Sequence, residues 1–158
     1  DNVKFGLELR GVDEAEARRR VTAAIHLIGL KGFENYYPHE ISMGMRARVA
    51  IARALVIDPD VVFMDEPFSS LDAQTRSLMQ LELLRLHATA GKTTVFVTHN
   101  VEEAVLLADR LIILTRRPAR VKEEVLVELK RPRNRFSRKF IQLRRRVEQL
   151  VREEVSPL

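Results

Sequence analysis

The feature that most constrains the fold is the alternation of short apolar runs with longer segments of helical periodicity. Runs rich in β-branched and aromatic residues occupy 61–64, 93–99 and 110–114, and segments with apolar residues at helical spacing separate them. Strands and helices of these lengths in alternation indicate a parallel sheet with helices on its faces. We therefore predict an α/β fold. The run "VVFM" at 61–64 is apolar without alternation, which predicts a strand buried on both faces.

Start and stop signals bound the segments between these strands. Asp13 is a suitable helix cap, and Pro59 ends the helical segment that precedes the first apolar run. The run "RVKEEVLVEL" at 120–129 is predicted to be an edge strand. The predicted helices cover 13–28, 43–58, a segment marked by Leu78, Leu81 and Leu84 that stops at Gly91, 100–109, and a last segment from about Ser137 with Phe140, Leu143, Val147 and Leu150 on one side.

Composition limits the classes of function. The chain has 158 residues, 46% of them apolar, which is enough for the core of about one domain. It contains no Cys, so disulfides and thiolate metal sites are excluded. Its apolar runs are far shorter than the ~20 residues that span a bilayer, and its start lacks the layout of a signal peptide. We therefore expect a soluble intracellular protein.

The net charge of +5 has a local origin near the end of the chain. Between Arg131 and Arg152 there are eight Arg and one Lys against a single acid, Glu148. Such a run can bind nucleic acid or anionic lipid, but on a helix it is more often a solvated face. Because no aromatic platform for bases interleaves the arginines, we do not predict a nucleic-acid partner.

Two adjacent carboxylates, Asp65 and Glu66, follow the apolar run at 61–64. Ligands of parallel α/β sheets bind at the carboxyl ends of the strands, so both side chains are expected beside a ligand. P-loop ATPases use an apolar strand that ends in Asp-Glu to hold Mg²⁺ through the Asp and to orient a water with the next carboxylate. Wet loops after strands are also often acidic, so the pair alone favours a structural explanation.

Four motifs in a fixed order resemble the ATP-binding-cassette (ABC) family. They are "ISMGMRARVAIARAL" at 41–55, the strand that ends in Asp65 and Glu66, "SSLD" at 69–72 and "VTHN" at 97–100. The resemblance is to the ATPase subunits of nitrate, sulfonate and taurine importers in particular, and it extends over nearly the whole chain. It implies a partial P-loop NTPase fold, in which helices flank a parallel sheet and part of the helical subdomain is present.

The resemblance also implies a division of the chain and a role for each site residue. Residues 1–45 would be a remnant of the helical subdomain, 46–130 the distal half of the ATPase core, and 131–158 a basic helical extension. His99 alone would more often be an ordinary hydrogen-bonded histidine. The resemblance implies that Ser42, Gly44 and Met45 form a signature loop, which binds the γ-phosphate of ATP held by a partner subunit. It implies that Asp65 is the magnesium carboxylate and that Glu66 is the general base. It also implies that Asp72 is the D-loop residue and that His99 is the switch histidine.

Two departures from the family pattern affect these roles. Met43 stands where the family usually has Gly, and its Cβ and long side chain could weaken the phosphate contact or push the loop aside. No GxxxxGK[ST] phosphate loop occurs in the chain. The "GKT" that begins at Gly91 has Leu86 five positions earlier, and it follows a helix and precedes a strand, the reverse of a phosphate loop. We interpret Gly91 as a helix cap.

The resemblance therefore implies the later portion of the ATPase subunit of an importer for a small anion such as nitrate, sulfonate or taurine. Its cofactors would be ATP and Mg²⁺. Its partners would be a second ATPase subunit, a transmembrane permease and, indirectly, a periplasmic or extracellular substrate-binding protein, with the subunit on the cytoplasmic face of the membrane. The alternative is an ATP-independent fragment or a non-transport ABC-type ATPase, for example one acting on DNA, although the sequence has no extended heptad run.

Two further expectations concern the chain by itself. Without a phosphate loop it is expected not to hydrolyse ATP. In proteins that resemble it, the phosphate-loop strand lies between the strand ending at His99 and the strand at 110–114. We expect these two strands either to pair directly or to exchange a segment with another copy.

Overall fold

The computed structural model describes residues 1–90 and 92–155, with two compact units, Asp1–Val95 and Phe96–Leu158. Gly91, the predicted helix cap, lies outside the described residues. The elements are α1 (Phe5–Leu9), α2 (Glu14–Leu27), α3 (Met43–Leu55), β1 (Val61–Asp65), α4 (Ala73–Ala90), β2 (Thr93–Val97), α5 (Val101–Leu107), β3 (Arg110–Leu114), β4 (Val121–Leu126) and α6 (Arg138–Val155). The predicted α/β class is confirmed, and β1 and β2 form a parallel pair.

Helices α2 and α3 pack together in the first unit. As predicted, α2 begins after Asp13, whose carboxylate accepts a hydrogen bond from the N–H of Ala15 at 3.0 Å. Arg48 of α3 donates to the backbone oxygen of Ile28 at 3.1 Å, where α2 ends. The start of α3 is thereby fixed relative to the end of α2, and this places the loop at Ser42.

Strand β1 is buried on one face only, so the prediction of burial on both faces is wrong. Val62 and Met64 are buried, whereas Val61 is exposed and Phe63 is 77% exposed. Absence of alternation in a sequence shows that both faces can be buried, but a strand face is buried only where another element covers it. No element of the described residues covers the face with Phe63.

Helix α4 buries a different face from the one that its leucines indicate. Leu78 is 57% and Leu81 52% exposed, while Met79, Gln80 and Leu83 are buried. The sequence around these leucines is apolar on more than one side, so the periodicity does not fix which side meets the core. The existence of the helix was predictable, but its orientation was not.

In the second unit β3 and β4 form an antiparallel hairpin with Leu111 opposite Val125. This confirms the strand predicted at 110–114 and the one predicted at 120–129. Helix α6 packs on the same unit through Phe140 and Val147, which are both buried. Strands β2 and β3 belong to different sheets in the described part of the chain, so the expected direct pairing does not occur.

Across residues 1–90 and 92–155, no helix combines the length and the apolar character that crossing a bilayer requires. The division into 1–45, 46–130 and 131–158 that the resemblance implies stays a prediction.

Candidate functional site

The predicted site residues belong to two different compact units. His99 belongs to Phe96–Leu158 and is placed by the geometry of that unit. The other unit, Asp1–Val95, contains the signature, strand-end and D-loop residues Ser42, Gly44, Met45, Asp65, Glu66 and Asp72.

The signature loop forms the start of α3. Ser42 has an extended backbone, and its Oγ accepts a hydrogen bond from the N–H of Met45 at 3.2 Å. Arg46 donates to the backbone oxygen of Pro38 at 3.0 Å, which ties the preceding loop to the same turn. The first turn of a helix leaves N–H groups without intrahelical partners, and the helix dipole attracts anions to this end. The local geometry of the loop therefore suits a phosphate contact.

Met43 occupies the first helical position of α3, and its side chain is 64% exposed. Neither Met43 nor Gly44 is among the residues with a positive φ. A Cβ built on Gly44 would lie 3.5 Å from Leu71 Cδ2, an ordinary van der Waals distance. The helix thus forms with Met43 in place, and the fold itself does not demand glycine at either position. Whether Met43 weakens a phosphate contact stays a prediction.

The D-loop residue Asp72 caps α4. Its Oδ1 accepts a hydrogen bond from the N–H of Thr75 at 2.9 Å. This bond is the main reason that the pKa of Asp72 lies below its ordinary value. Since Leu71 precedes Asp72 and faces Gly44, the structure brings the signature loop and the D-loop together within one unit.

The strand-end carboxylates lie where β1 ends. Asp65 is the last residue of β1 and is exposed. Glu66 follows in the left-handed region at φ +43, and its backbone oxygen accepts hydrogen bonds from Ser69 N at 3.1 Å and Ser69 Oγ at 2.9 Å. Arg76 donates to the backbone oxygens of Phe68 at 3.3 Å and Leu71 at 2.9 Å. The loop from Glu66 to Asp72 is therefore held at both ends.

Asp65 fits a magnesium ligand by the chemistry of its position. Mg²⁺ is usually held by one or two carboxylates together with waters and substrate phosphates, rather than by an all-protein cage. The described residues contain no group of three or more His, Cys, Asp or Glu side chains that could hold a metal. A single exposed carboxylate at a strand end is what such a site needs from the protein.

His99 lies between the end of β2 and the start of α5, and it is exposed. Its two neighbours in sequence are fixed by hydrogen bonds. Asn100 caps α5 by accepting from the N–H of Glu103 at 3.1 Å, and Thr98 Oγ1 accepts from the N–H of Asn100 at 3.0 Å. Thr98 Oγ1 also donates to the buried carboxylate of Glu103 at 2.6 Å. Thr98 and Glu103 were not predicted from the sequence, although Asn100 and Glu103 match the N-x-x-E pattern of a capping box.

The "GKT" tripeptide has no phosphate-binding geometry in its described residues. Lys92 forms ion pairs with Asp58 at 3.3 Å and Asp60 at 3.4 Å, and these carboxylates raise its pKa. Thr93 starts β2, so Lys92 stands before a strand rather than at the start of a helix. This supports the interpretation of the tripeptide as a false match.

Comparisons with known proteins agree with this geometry. The profile of the ABC transporter family matches residues 2–69, a stretch that contains Ser42, Gly44, Asp65 and Glu66. An ABC transporter ATP-binding protein of Methanocaldococcus jannaschii is 49% identical over 154 residues, which are 98% of the chain and 58% of that relative.

Relatives named for particular solutes are also similar. The trimethylamine N-oxide transport system ATP-binding protein of Ruegeria pomeroyi is 54% identical over 72% of the chain and 34% of its own length. The taurine import ATP-binding protein of Pelagibacter ubique is 43% identical over 78% of the chain and 47% of its own length. The chain spans about half the length of the curated relatives it matches.

Solved structures give the same result. A bacterial ABC transporter cassette solved as a dimer has a TM-score of 0.71 and 31% identity, covering 79% of the chain and 54% of the cassette. A post-hydrolysis state of that cassette bound to ADP and Pi has a TM-score of 0.64. The fold is therefore that of part of an ABC ATPase cassette. The chain belongs to the ABC transporter ATP-binding family, whose members bind ATP.

Proposed function

We propose that this chain is part of the ATP-hydrolysing subunit of an ABC importer. The observation that carries the proposal is the placement of Asp65 at the end of β1 and of Glu66 directly after it, with Glu66 at φ +43. A non-glycine residue in the left-handed region costs of order 1–3 kcal/mol and often marks a functional position. Asp58 has a positive φ as well, but it follows the end of α3, where this conformation is common.

The two carboxylates take different roles in the proposal. Asp65 holds Mg²⁺, which neutralises charge on the transferred phosphoryl group when it is bound. Glu66 orients the attacking water and accepts its proton. A general base must lie within hydrogen-bond reach of that water, and the turn at Glu66 directs the chain away from the strand so that both side chains emerge at its end.

The remaining site residues complete a nucleotide site between two subunits. The first turn of α3, with Ser42, Gly44 and Met45, contacts the γ-phosphate of ATP held by the other subunit, and Asp72 lies beside this contact. The dimeric structure of a similar cassette supports this arrangement. The close approach of Leu71 to Gly44 supports it further, because the two loops then respond together to a partner.

His99 is proposed to donate a hydrogen bond to the γ-phosphate. Its place at the end of a strand supports this role, because ligands of parallel sheets bind at that end. The hydrogen bonds of Thr98 and Asn100 on either side restrict where the imidazole can lie.

The transported solute is proposed to be a small anion such as nitrate, a sulfonate or taurine. Relatives are named for taurine, aliphatic sulfonates, trimethylamine N-oxide, and sulfate or thiosulfate. All of these solutes carry a negatively charged oxygen. Selection of the solute would reside in a transmembrane permease and an external substrate-binding protein, with the ATPase subunit on the cytoplasmic face of the membrane.

A non-transport ATPase acting on DNA is the second candidate, and an ATP-independent fragment is the third. The named transport functions of the relatives favour the importer. The uneven distribution of charge is the reason to test the DNA candidate. The unit Phe96–Leu158 has fifteen Lys or Arg and nine Asp or Glu, and this positive excess would attract the phosphates of DNA.

The test uses an extended chimera, in which the part of the Methanocaldococcus jannaschii relative that precedes the matched region is joined ahead of Asp1. We expect Mg²⁺-dependent ATP hydrolysis that double-stranded DNA does not stimulate. Co-expression with an importer permease should yield a complex that survives affinity purification. Hydrolysis that depends on DNA would favour the second candidate, and a folded chimera without hydrolysis would contradict the proposal.

A further inference from the structure

Helix α5 follows His99 after one residue, and it is too short to hold its own position. It has seven residues, Val101–Leu107, which corresponds to two turns and a length of about 10 Å. Isolated helices shorter than about 12–15 residues are marginal in water, so a helix of this size depends on contacts at its ends and on its buried face. Thr98 and Asn100 fix its first turn. The question is what fixes its last turn.

The last turn of α5 is held by Arg133. The side chain of Arg133 is 1% exposed, and its Nη1 donates to the backbone oxygens of Val105 at 3.0 Å, Leu106 at 2.9 Å and Ala108 at 2.6 Å. The last carbonyls of a helix have no intrahelical partners, and this end of the dipole favours a cation. One guanidinium therefore satisfies most of the acceptors that α5 leaves open.

The other nitrogens of Arg133 are also bonded. Nε donates to the backbone oxygen of Leu129 at 3.1 Å, and Nη2 lies 3.3 Å from Asp109 Oδ1 and 3.4 Å from the backbone oxygen of Val127. Burial lowers the pKa of Arg133, and the charge of Arg131 lowers it further, while Asp109 raises it. An arginine keeps its charge in proteins, so this buried cation joins α5 to the segment after β4.

Three more arginines of the same region contact α5 or its end. Arg131 donates to the backbone oxygen of Leu107 and pairs with Asp109 at 2.9 Å. Arg135 and Arg144 both pair with Glu102 in the first turn of α5, each at 3.1 Å. We name the four arginines, Arg131, Arg133, Arg135 and Arg144, the arginine bracket. Four arginines of the basic run therefore contact α5 or its end, and Arg133 among them is buried.

We propose that Arg133 is a positioning residue for His99 and acts through α5. The inference rests on the proposed role of His99 at the γ-phosphate. A helix of two turns moves as a rigid body. If the last turn of α5 can shift, the whole helix tilts, and its first turn moves together with His99, which lies one residue before it. Functional side chains need placement within roughly 0.5 Å, so a small tilt is sufficient to matter.

The arginines of the bracket are expected to differ in their effect on His99. Arg135 and Arg144 act on a carboxylate that is about one-third exposed, where ion pairs contribute little. Arg133 acts on the backbone oxygens of the buried residues Val105 and Leu106, where a lost partner leaves unsatisfied acceptors. The substitution of Arg133 should therefore change His99 more than the substitution of Arg144.

The test uses the 158-residue chain itself and requires no nucleotide. Arg133→Met keeps the aliphatic stem but removes every donor, and Arg133→Lys keeps the charge with fewer donors. Arg138→Met is the matched control, since Arg138 is exposed at the start of α6 and has no ion pair within residues 1–90 and 92–155. Amide hydrogen exchange reports on α5, and NMR of the imidazole protons reports on His99, with His26 and His39 of the other unit as internal references.

In Arg133→Met we expect amide exchange in Val101–Leu107 to accelerate about 10-fold or more, and the imidazole signals of His99 to shift and broaden. Arg133→Lys should lie between this variant and the unmodified chain, while Arg138→Met and the two reference histidines should stay unchanged. If Arg133→Met does not fold, Arg133→Lys carries the test.

Faster exchange in α5 with unchanged His99 signals, in either variant, would show that Arg133 supports the helix without positioning the imidazole, and the proposal would be wrong. Failure of the proposed function is recognised separately, by normal ATP hydrolysis in the extended chimera after His99→Ala.

Discussion

Leu71 Cδ2 lies 3.5 Å from the point where a Cβ on Gly44 would stand. The contact is close enough to couple the signature loop to the D-loop, and loose enough for alanine to fit. Because alanine fits, two explanations for the glycine at position 44 can be distinguished by substitution. If the fold required it, alanine would unfold the protein, whereas a requirement for phosphate contact would appear only when nucleotide and partner are present.

We expect Gly44→Ala to leave the thermal stability of the chain unchanged and to weaken ATP-dependent dimerisation of the extended chimera. Gly29→Ala is the matched control, because Gly29 has φ +66 and a Cβ there would lie 3.4 Å from Arg48 Nη1. Alanine in the left-handed region should cost roughly 1–2 kcal/mol of stability. Thermal melts and sedimentation with ATP measure the two effects. Equal destabilisation by both substitutions would contradict the assignment of Gly44 to phosphate binding.

Glu66→Gln in the extended chimera is expected to slow ATP turnover by about 10²-fold or more and to accumulate ATP-bound dimers, since the amide cannot accept the proton. Asp58→Asn is the control, because Asp58 shares the positive φ of Glu66 but lies at the end of α3. Steady-state hydrolysis and size-exclusion chromatography with ATP provide the measurement. Unchanged turnover in Glu66→Gln would remove Glu66 from the catalytic role.

Met43→Gly in the extended chimera is expected to tighten ATP-dependent dimerisation, because it removes a Cβ and a long side chain from the proposed phosphate contact. Since Met43 already lies in the first turn of α3 with its side chain in solvent, the fold of the isolated chain should not change. Equal dimerisation before and after the substitution would show that the loop accepts Met43 without cost.

The pKa of Asp72 predicts a pH dependence of stability. The Thr75 N–H holds the folded pKa below the ordinary value of 3.8, so the capping contribution is fully present above that pH. It is lost as the pH falls through the folded pKa. Asparagine also caps helices but does not titrate, so Asp72→Asn should flatten this part of the curve. Urea unfolding between about pH 2 and pH 6 provides the comparison. A curve of the same shape in both proteins would contradict the prediction.

The 158-residue chain alone is expected to bind Mg-ATP weakly and not to hydrolyse it, because its sequence has no GxxxxGK[ST] loop. In P-loop proteins the amides and the lysine of that loop supply most of the phosphate contacts. Isothermal titration calorimetry checks this directly. Micromolar binding by the chain would mean that the first turn of α3 and the end of β1 provide more affinity than these contacts allow.

The sequence predicted the elements of the fold better than the faces they bury. The cap at Asp13 was predictable because a short polar side chain acts on neighbouring N–H groups. The exposure of Phe63 and Leu78 was not, since burial depends on which other elements cover a face.

Within the candidate site, the residues that a motif names were predictable, and those that hold them were not. Asp65 and His99 stand at strand ends that the hydrophobic pattern identifies. Arg133 contacts backbone oxygens 25 to 28 residues away along the chain, and backbone acceptors carry no residue-type signal. Its role could be seen only after α5 and the segment behind β4 had been placed together.

The arginine bracket also changes where the smallest autonomously folding piece of this protein can end. Trimming the chain at Lys130, where the last strand is complete and the basic run begins, would delete the groups that close the end of α5 and would leave its carbonyls facing an apolar interior. A shortened version must therefore extend at least past Arg133, so that the start of the basic run is needed for the two turns that follow His99.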